Sequence, residues 1–234
     1  MRWVFDATHN FNRRPHYKPG EIDDECESVV AGFLRERRGD VAYPITTDEL
    51  KVLIEQHVEY LDVFADLSDE GPDVQGVTYF QPGCQPIVKV SSDLGEERWR
   101  ENRLRTTLAH EFGHVWFHRF LWVSEVESIP LFAEPAGKVA GPRCHREDLL
   151  RPGSRGDWME WQAGYASGAL LVPRSALLRL IGPVPAVPLQ PESRPAAGLV
   201  ETVRRAFAVS GDAARVRIAQ LGFLARQETL ISAY

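Results

Sequence analysis

His110, Glu111 and His114 stand inside the apolar run LAHEFGHVWFH, and no other feature constrains the chain as much. The pattern predicts a helix from about Glu96 to Leu121, rich in Arg and Glu at first and apolar later. Residues four apart on a helix differ by about 40° in azimuth and one turn in height, so both imidazoles reach one point. Ala109 and Gly113 beside them are small enough to admit another element at close range. Two imidazoles in this arrangement favour Zn2+, one ion per chain, and a catalytic zinc needs a third protein ligand and an open position. Glu111, next to the first imidazole, is placed to take a proton from a water.

The third ligand is sought downstream. An apolar helix is expected from about Asp157 to Val172, stopped by Pro173, and it carries Glu160 among Trp158, Met159 and Trp161. A carboxylate is out of place there unless it faces a cation. Asp157, Glu134 and His145 are the alternatives. His118 continues the four-residue series, but by then the helix has drifted about 80° from His110. It suits a supporting contact better than direct ligation.

The remaining chain divides by period and composition. Residues 1–18 lack a clear period and read as an extended arm. Apolar positions from Glu21 to Arg38 recur at helical steps up to Gly39, and Thr46 with Glu49 forms a capping box for a second helix. Gly76–Phe80 and Pro86–Val90 read as neighbouring strands around a Pro-Gly turn, and 124–157 reads as irregular. Residues 183–195 hold five of the 16 prolines, which predicts a stiff linker. Two short helices follow, at 197–208 and 211–222, broken at Ser210-Gly211.

These pieces together resemble the ImmA/IrrE family of zinc metallopeptidases. The resemblance is carried by PIVKV, ENRLRTTLAHEFGHVWFH, EWQAGYASGALLVP and AFAVSGDAARVRIAQLG, spanning about 86–222. It implies His110 and His114 as zinc ligands, Glu111 as general base and Glu160 as third ligand. It also implies cleavage of a helix-turn-helix repressor, relieving repression of stress-response, mobile-element or phage-defence genes. One departure is Gly164, where the family carries Asn or Asp four residues after the ligand Glu. The expected fold is α+β: an arm at 1–18, a mainly helical zinc-metallopeptidase domain with a small β-sheet at 19–181, a Pro-rich linker at 182–196, and a helix-turn-helix-like helical segment at 197–234.

Tyr165 and Tyr79 are candidate donors to a developing oxyanion, though both suit burial as core aromatics. Pro142-Arg143-Cys144 is similar to the cysteine switch of matrix metalloproteinase pro-segments, which makes Cys144 a candidate inhibitory fourth ligand and Cys84 a second choice. Cys26 falls on an apolar helical face. Three scattered cysteines make no disulfide framework, and the N-terminal segment has no apolar core, so a cytoplasmic protein without a membrane span is expected. With 27 Lys and Arg against 33 Asp and Glu, the net charge of −6 disfavours a surface that grips nucleic acid throughout. The arginines of 197–234 give that segment +2, weak for DNA binding, and Arg98, Arg100, Arg103 and Arg105 alternate with acids as on a solvated face. Single-stranded DNA enters as a candidate activating signal. The competing reading is a zinc-stabilised sensor that binds DNA or a partner without hydrolysis; a broad-range effector protease is a third.

Overall fold

The computed structural model describes residues 1–8, 11–71, 73–81, 83–95, 100–123, 139–145 and 158–225, with backbone alone at 95, 123 and 139–145. The first segment is more ordered than an extended arm. Strands β1 (Arg2–Phe5) and β2 (Arg13–His16) pair antiparallel, with Trp3 opposite Pro15. Between them the buried Asp6 carboxylate accepts the N–H groups of Thr8 at 3.0 Å and Phe11 at 3.1 Å, which folds the chain back. Pro19 at the first helical position and the Glu21 carboxylate, which accepts the Lys18 N–H at 2.8 Å, start helix α1 (Pro19–Arg38). Gly39 ends it at φ 80°, a conformation glycine adopts without strain.

Helix α2 (Thr47–Glu55) opens on the expected capping box. Thr46 Oγ1 accepts the Glu49 N–H at 3.2 Å, and the Glu49 carboxylate accepts the Thr46 N–H at 2.8 Å. The Arg38 guanidinium closes on the same carboxylate. A four-stranded sheet follows, in the order β3 (Tyr60–Ala65), β5 (Ile87–Ser91), β4 (Val74–Phe80), β6 (Val139–His145). β3 and β5 are parallel; β4 is antiparallel to β5, as neighbouring strands predict, and to β6. β6 corrects the irregular reading of 124–157. Its register shifts where Val77 and Tyr79 face Arg143 and Ala140, so Gly141-Pro142 forms the extra length, and a proline is tolerated because β6 is an edge strand.

The long helix predicted to 121 is split at Arg119: α3 (Ser92–Gly95) precedes α4 (Glu101–His118), and α5 (Phe120–Val123) follows it. Then come α6 (Trp158–Leu171), α7 (Arg174–Ile181), α8 (Arg194–Phe207) and α9 (Gly211–Gln220). Ile22, Leu53, Leu108, Phe112 and Ala166 share one core cluster with Val200, Phe207 and Ile218, so α8 and α9 pack into the body of the molecule. Arg217 ties α9 to α1. It has no solvent exposure, donates from Nη2 to Asp23 Oδ1 at 2.6 Å and from Nε to the Val172 carbonyl at 3.0 Å. Removing one partner of such a buried pair costs about 3–5 kcal/mol. The described chain is thus a mainly helical α+β fold with two small sheets, and no described helix is long and apolar enough to cross a membrane.

The capping-box carboxylate offers a stability test. Arg38 first, and the Thr46 hydrogen bonds after it, outweigh burial and hold Glu49 at about 2 against an ordinary 4.5. A depressed folded-state value stabilises fully above 4.5, and that stability is lost as pH falls toward 2. Glu49→Gln is therefore expected to lower unfolding free energy by about 2 kcal/mol at neutral pH. Denaturant titrations in a chelator should show the gap narrowing by pH 3; a gap that is constant with pH contradicts the assignment.

Candidate metal centre

Helix α4 is buried around almost its whole circumference from Leu104 to Val115, which places its polar side chains in the interior. α6 crosses it at very short range. A Cβ added at Gly113 would lie 3.0 Å from Ala163 Cα and 3.2 Å from its carbonyl oxygen, so the small residue at 113 sets the approach, as the sequence suggests. Ser167 Oγ donates to the Thr106 carbonyl at 3.1 Å and fixes the crossing.

At that crossing three side chains converge. His110 Nε2 and His114 Nε2 are 3.1 Å apart; Glu160 Oε2 is 3.0 Å from the first, and Glu160 Oε1 is 3.2 Å from the second. Both imidazoles are closed to solvent and Glu160 is buried. Burial opposes Glu160's charge, but His114 and His110 hold its carboxyl far below the usual range. Nitrogen and carboxylate lone pairs gathered without a cation repel one another, so the donor set suits a metal ion. Bonds of ~2.0 Å to a tetrahedral ion separate ligand atoms by ~3.3 Å, close to the spacings found. The buried His110–His114–Glu160 group could hold a metal, and the residues fit. Of the alternatives to Glu160, Asp157 and Glu134 lie outside the described residues, as does the His145 side chain.

Glu111 lies beside this group with no solvent exposure. Thr78 Oγ1 donates to its Oε2 at 2.6 Å, whereas Oε1 has no hydrogen-bond partner among the described residues. Thr78 and Gly76 share one face of β4, and a Cβ at Gly76 would come within 2.4 Å of Glu111 Oε1. Burial pushes the Glu111 carboxyl up, against the pull of His114 and His110. Neither tyrosine candidate joins the site: Tyr165 donates to Asp23 Oδ2 at 3.1 Å, and the Tyr79 hydroxyl donates to Glu70.

His118 takes the supporting position. Its Nδ1 lies 3.1 Å from His114 Nδ1, and its Nε2 lies 3.0 Å from Gln162 Oε1. Burial, then His114, pushes its pKa well below 6.5. Gln162 is not singled out by the sequence reading, although its signal is the one that marks Glu160, a polar side chain in an apolar helix. Its amide lies between His118 Nε2 and the Pro15 carbonyl oxygen. No protein-family model matches the sequence, and no curated protein is significantly similar to it.

The other expectations sort by location. Cys26 is buried in the core, and Cys84 is exposed in the β4–β5 turn, outside the metal-binding group. The Cys144 side chain lies outside the described residues, but the β4–β6 register sets residue 144 directly across from Gly76. Few C-terminal cations remain for DNA. Arg204 and Arg205 pair with Glu201, Arg215 donates to the Pro191 carbonyl at 2.9 Å, and Arg217 is buried; Arg226 lies outside the described residues. Arg105 is buried too, between α2 and α8, which corrects the solvated-face reading at that position. A surface cavity of about 640 Å³ beside Asp66, Asp73, Gln75, Arg100 and Arg103 includes none of the metal-binding trio.

The crossing predicts opposite outcomes for one substitution at two places. Gly32→Ala in α1 meets nothing within 4 Å and should stabilise by about 0.5–1 kcal/mol. Gly113→Ala forces backbone apart and should destabilise by about 1–3 kcal/mol and weaken any metal binding at the trio. Denaturant unfolding and a zinc titration check both. Wild-type zinc affinity in Gly113→Ala contradicts the role given to the crossing.

Proposed function

We propose that the protein is a zinc-dependent endopeptidase that cleaves a helix-turn-helix transcriptional repressor. The observation that carries the hydrolytic reading is the pose of Glu111: one oxygen anchored by Thr78, the other without a hydrogen bond among the described residues, next to three converging atoms that could hold a metal. A structural metal site has no use for such a carboxylate. The resemblance to ImmA/IrrE peptidases supports the same reading and supplies the repressor as substrate class.

His110, His114 and Glu160 would hold the zinc, whose Lewis acidity polarises a peptide carbonyl and lowers the pKa of a water to about 7. Glu111 Oε1 takes the proton of the attacking water and returns it to the leaving amine. Thr78 keeps the carboxylate from rotating away, and Gly76 leaves the room it needs. The dry surroundings of Glu111 raise its proton affinity, which suits a base that must also give the proton back.

A protease directed at a regulator needs restraint until a signal arrives. β6 occupies the outer edge of β4, the edge on which an extended substrate would otherwise pair. With residue 144 across from Gly76, a displaced β6 would withdraw Cys144 and expose the edge together. Single-stranded DNA remains the candidate signal.

Wild type, Glu111→Gln and Cys144→Ser are compared for zinc content and for cleavage of the helix-turn-helix protein encoded beside this chain, with and without single-stranded DNA. Equal zinc is expected in all three. Cleavage should fall by roughly 10²-fold or more in Glu111→Gln, and basal cleavage should rise in Cys144→Ser. Cleavage by none of the three under any condition favours the non-proteolytic sensor, and unchanged basal cleavage in Cys144→Ser removes the restraint by Cys144.

A further inference from the structure

A continuous line of hydrogen bonds leads from the N-terminal hairpin to the metal centre. The Gln162 amide nitrogen is 3.0 Å from the Pro15 carbonyl oxygen; Gln162 Oε1 is 3.0 Å from His118 Nε2; His118 Nδ1 is 3.1 Å from His114 Nδ1. His114 Nε2 then faces His110 and Glu160. Gln162 is 1% exposed and both rings 0%, so no solvent competes for these atoms.

The chemistry of the first member determines every other. A carbonyl oxygen only accepts, so the Gln162 NH2 must face Pro15, and its oxygen must face His118. That oxygen also only accepts, so a proton sits on His118 Nε2; the ring is closed to solvent and neither of its nitrogens meets a carboxylate among the described residues, so it holds that one proton and its Nδ1 is a lone pair. The lone pair requires a proton on His114 Nδ1. His114 Nε2 is thereby left as a lone pair aimed at Glu160 and His110, the form a metal ligand must have.

The hairpin that supplies the Pro15 carbonyl is docked. Pro15 is buried, Phe11 packs edge-on against Trp122 at 5.3 Å, and Arg14 lies over Trp158 at 5.4 Å. Trp158 in turn meets the His118 ring edge-on at 5.4 Å. Trp3 contacts Phe120 at 5.7 Å. These rings hold the carbonyl at one distance from Gln162.

We infer that Pro15, Gln162 and His118 form a relay that sets the tautomer and orientation of His114, so that the N-terminal hairpin holds the metal site in its binding form. His118 and Gln162 are positioning residues, and loosening the hairpin would lower metal affinity without removing a ligand. The inference rests on reading His110, His114 and Glu160 as a metal site, but its first readout does not.

Long-range 15N–1H spectra of histidine-labelled, metal-free full-length protein report which ring nitrogen carries each proton. The expected result is a proton on His118 Nε2 and on His114 Nδ1; a proton on His118 Nδ1, or an exchanging mixture, overturns the relay. Zinc affinity is then measured by competition with a chromophoric chelator. His118→Leu and Gln162→Met should each weaken zinc binding roughly tenfold or more, and His118→Asn, which keeps an acceptor near the Nδ1 position, should recover most of it. Affinities of the Leu and Met variants within twofold of wild type, or His118→Asn no better than His118→Leu, also overturn it. Wild type that binds no zinc refutes the metal reading instead, and the spectra still decide the relay.

Discussion

Gly113 has no side chain, and the Ala163 backbone fills the space a methyl group would need. This contact lets α6 run against α4 closely enough for Glu160 to meet His110 and His114 in the dry interior. A carboxylate and two imidazoles buried there are costly in isolation, because each leaves water for a medium that solvates charge poorly. Part of the cost is offset by the hydrogen bonds that run outward through His118, and a cation among the three would offset more. Much of the remaining architecture serves to keep this pair of helices in register. α1 and α9 are joined by Asp23 and Arg217, with Tyr165 of α6 on the same carboxylate.

A polar cluster of this kind has two stable outcomes: every atom satisfied internally, or a cation at its centre. The proposed metal site is the second. Hydrogen bonds hold the outer atoms of His114 and Glu111, and the proposed relay leaves the His114 Nε2 lone pair facing inward. Glu111 differs from the three candidate ligands in having one oxygen against Gly76 of β4, the residue that position 144 of β6 faces. Chemistry and restraint, as proposed, therefore meet at one point on β4.

Local patterns in the sequence expose part of this arrangement. The His110–His114 spacing and the acid inside the WMEWQ run are readable because each violates the apolar helix around it. The capping box at Thr46 is readable because its two hydrogen bonds span three residues. What the sequence hides depends on distant partners. The hairpin at residues 2–16 owes its order to rings at positions 120, 122 and 158, and nothing within the arm announces them. Arg217 reads as one more surface cation because its partner, Asp23, is 194 residues away. β6 hides behind Gly141-Pro142, a pair that ordinarily breaks a strand and here forms a bulge on an edge. Gln162 hides because its value lies in two contacts, one on the arm and one on α4.

His110, His114 and Glu160 are proposed to bind one metal ion. Anomalous diffraction at the zinc edge, from crystals of the protein loaded with one equivalent of zinc, tests it most directly. A single strong peak is expected about 2.0–2.2 Å from both Nε2 atoms and a Glu160 oxygen, with Glu111 adjacent and not ligating. A peak elsewhere on the chain, or none at this crossing of α4 and α6, would contradict it.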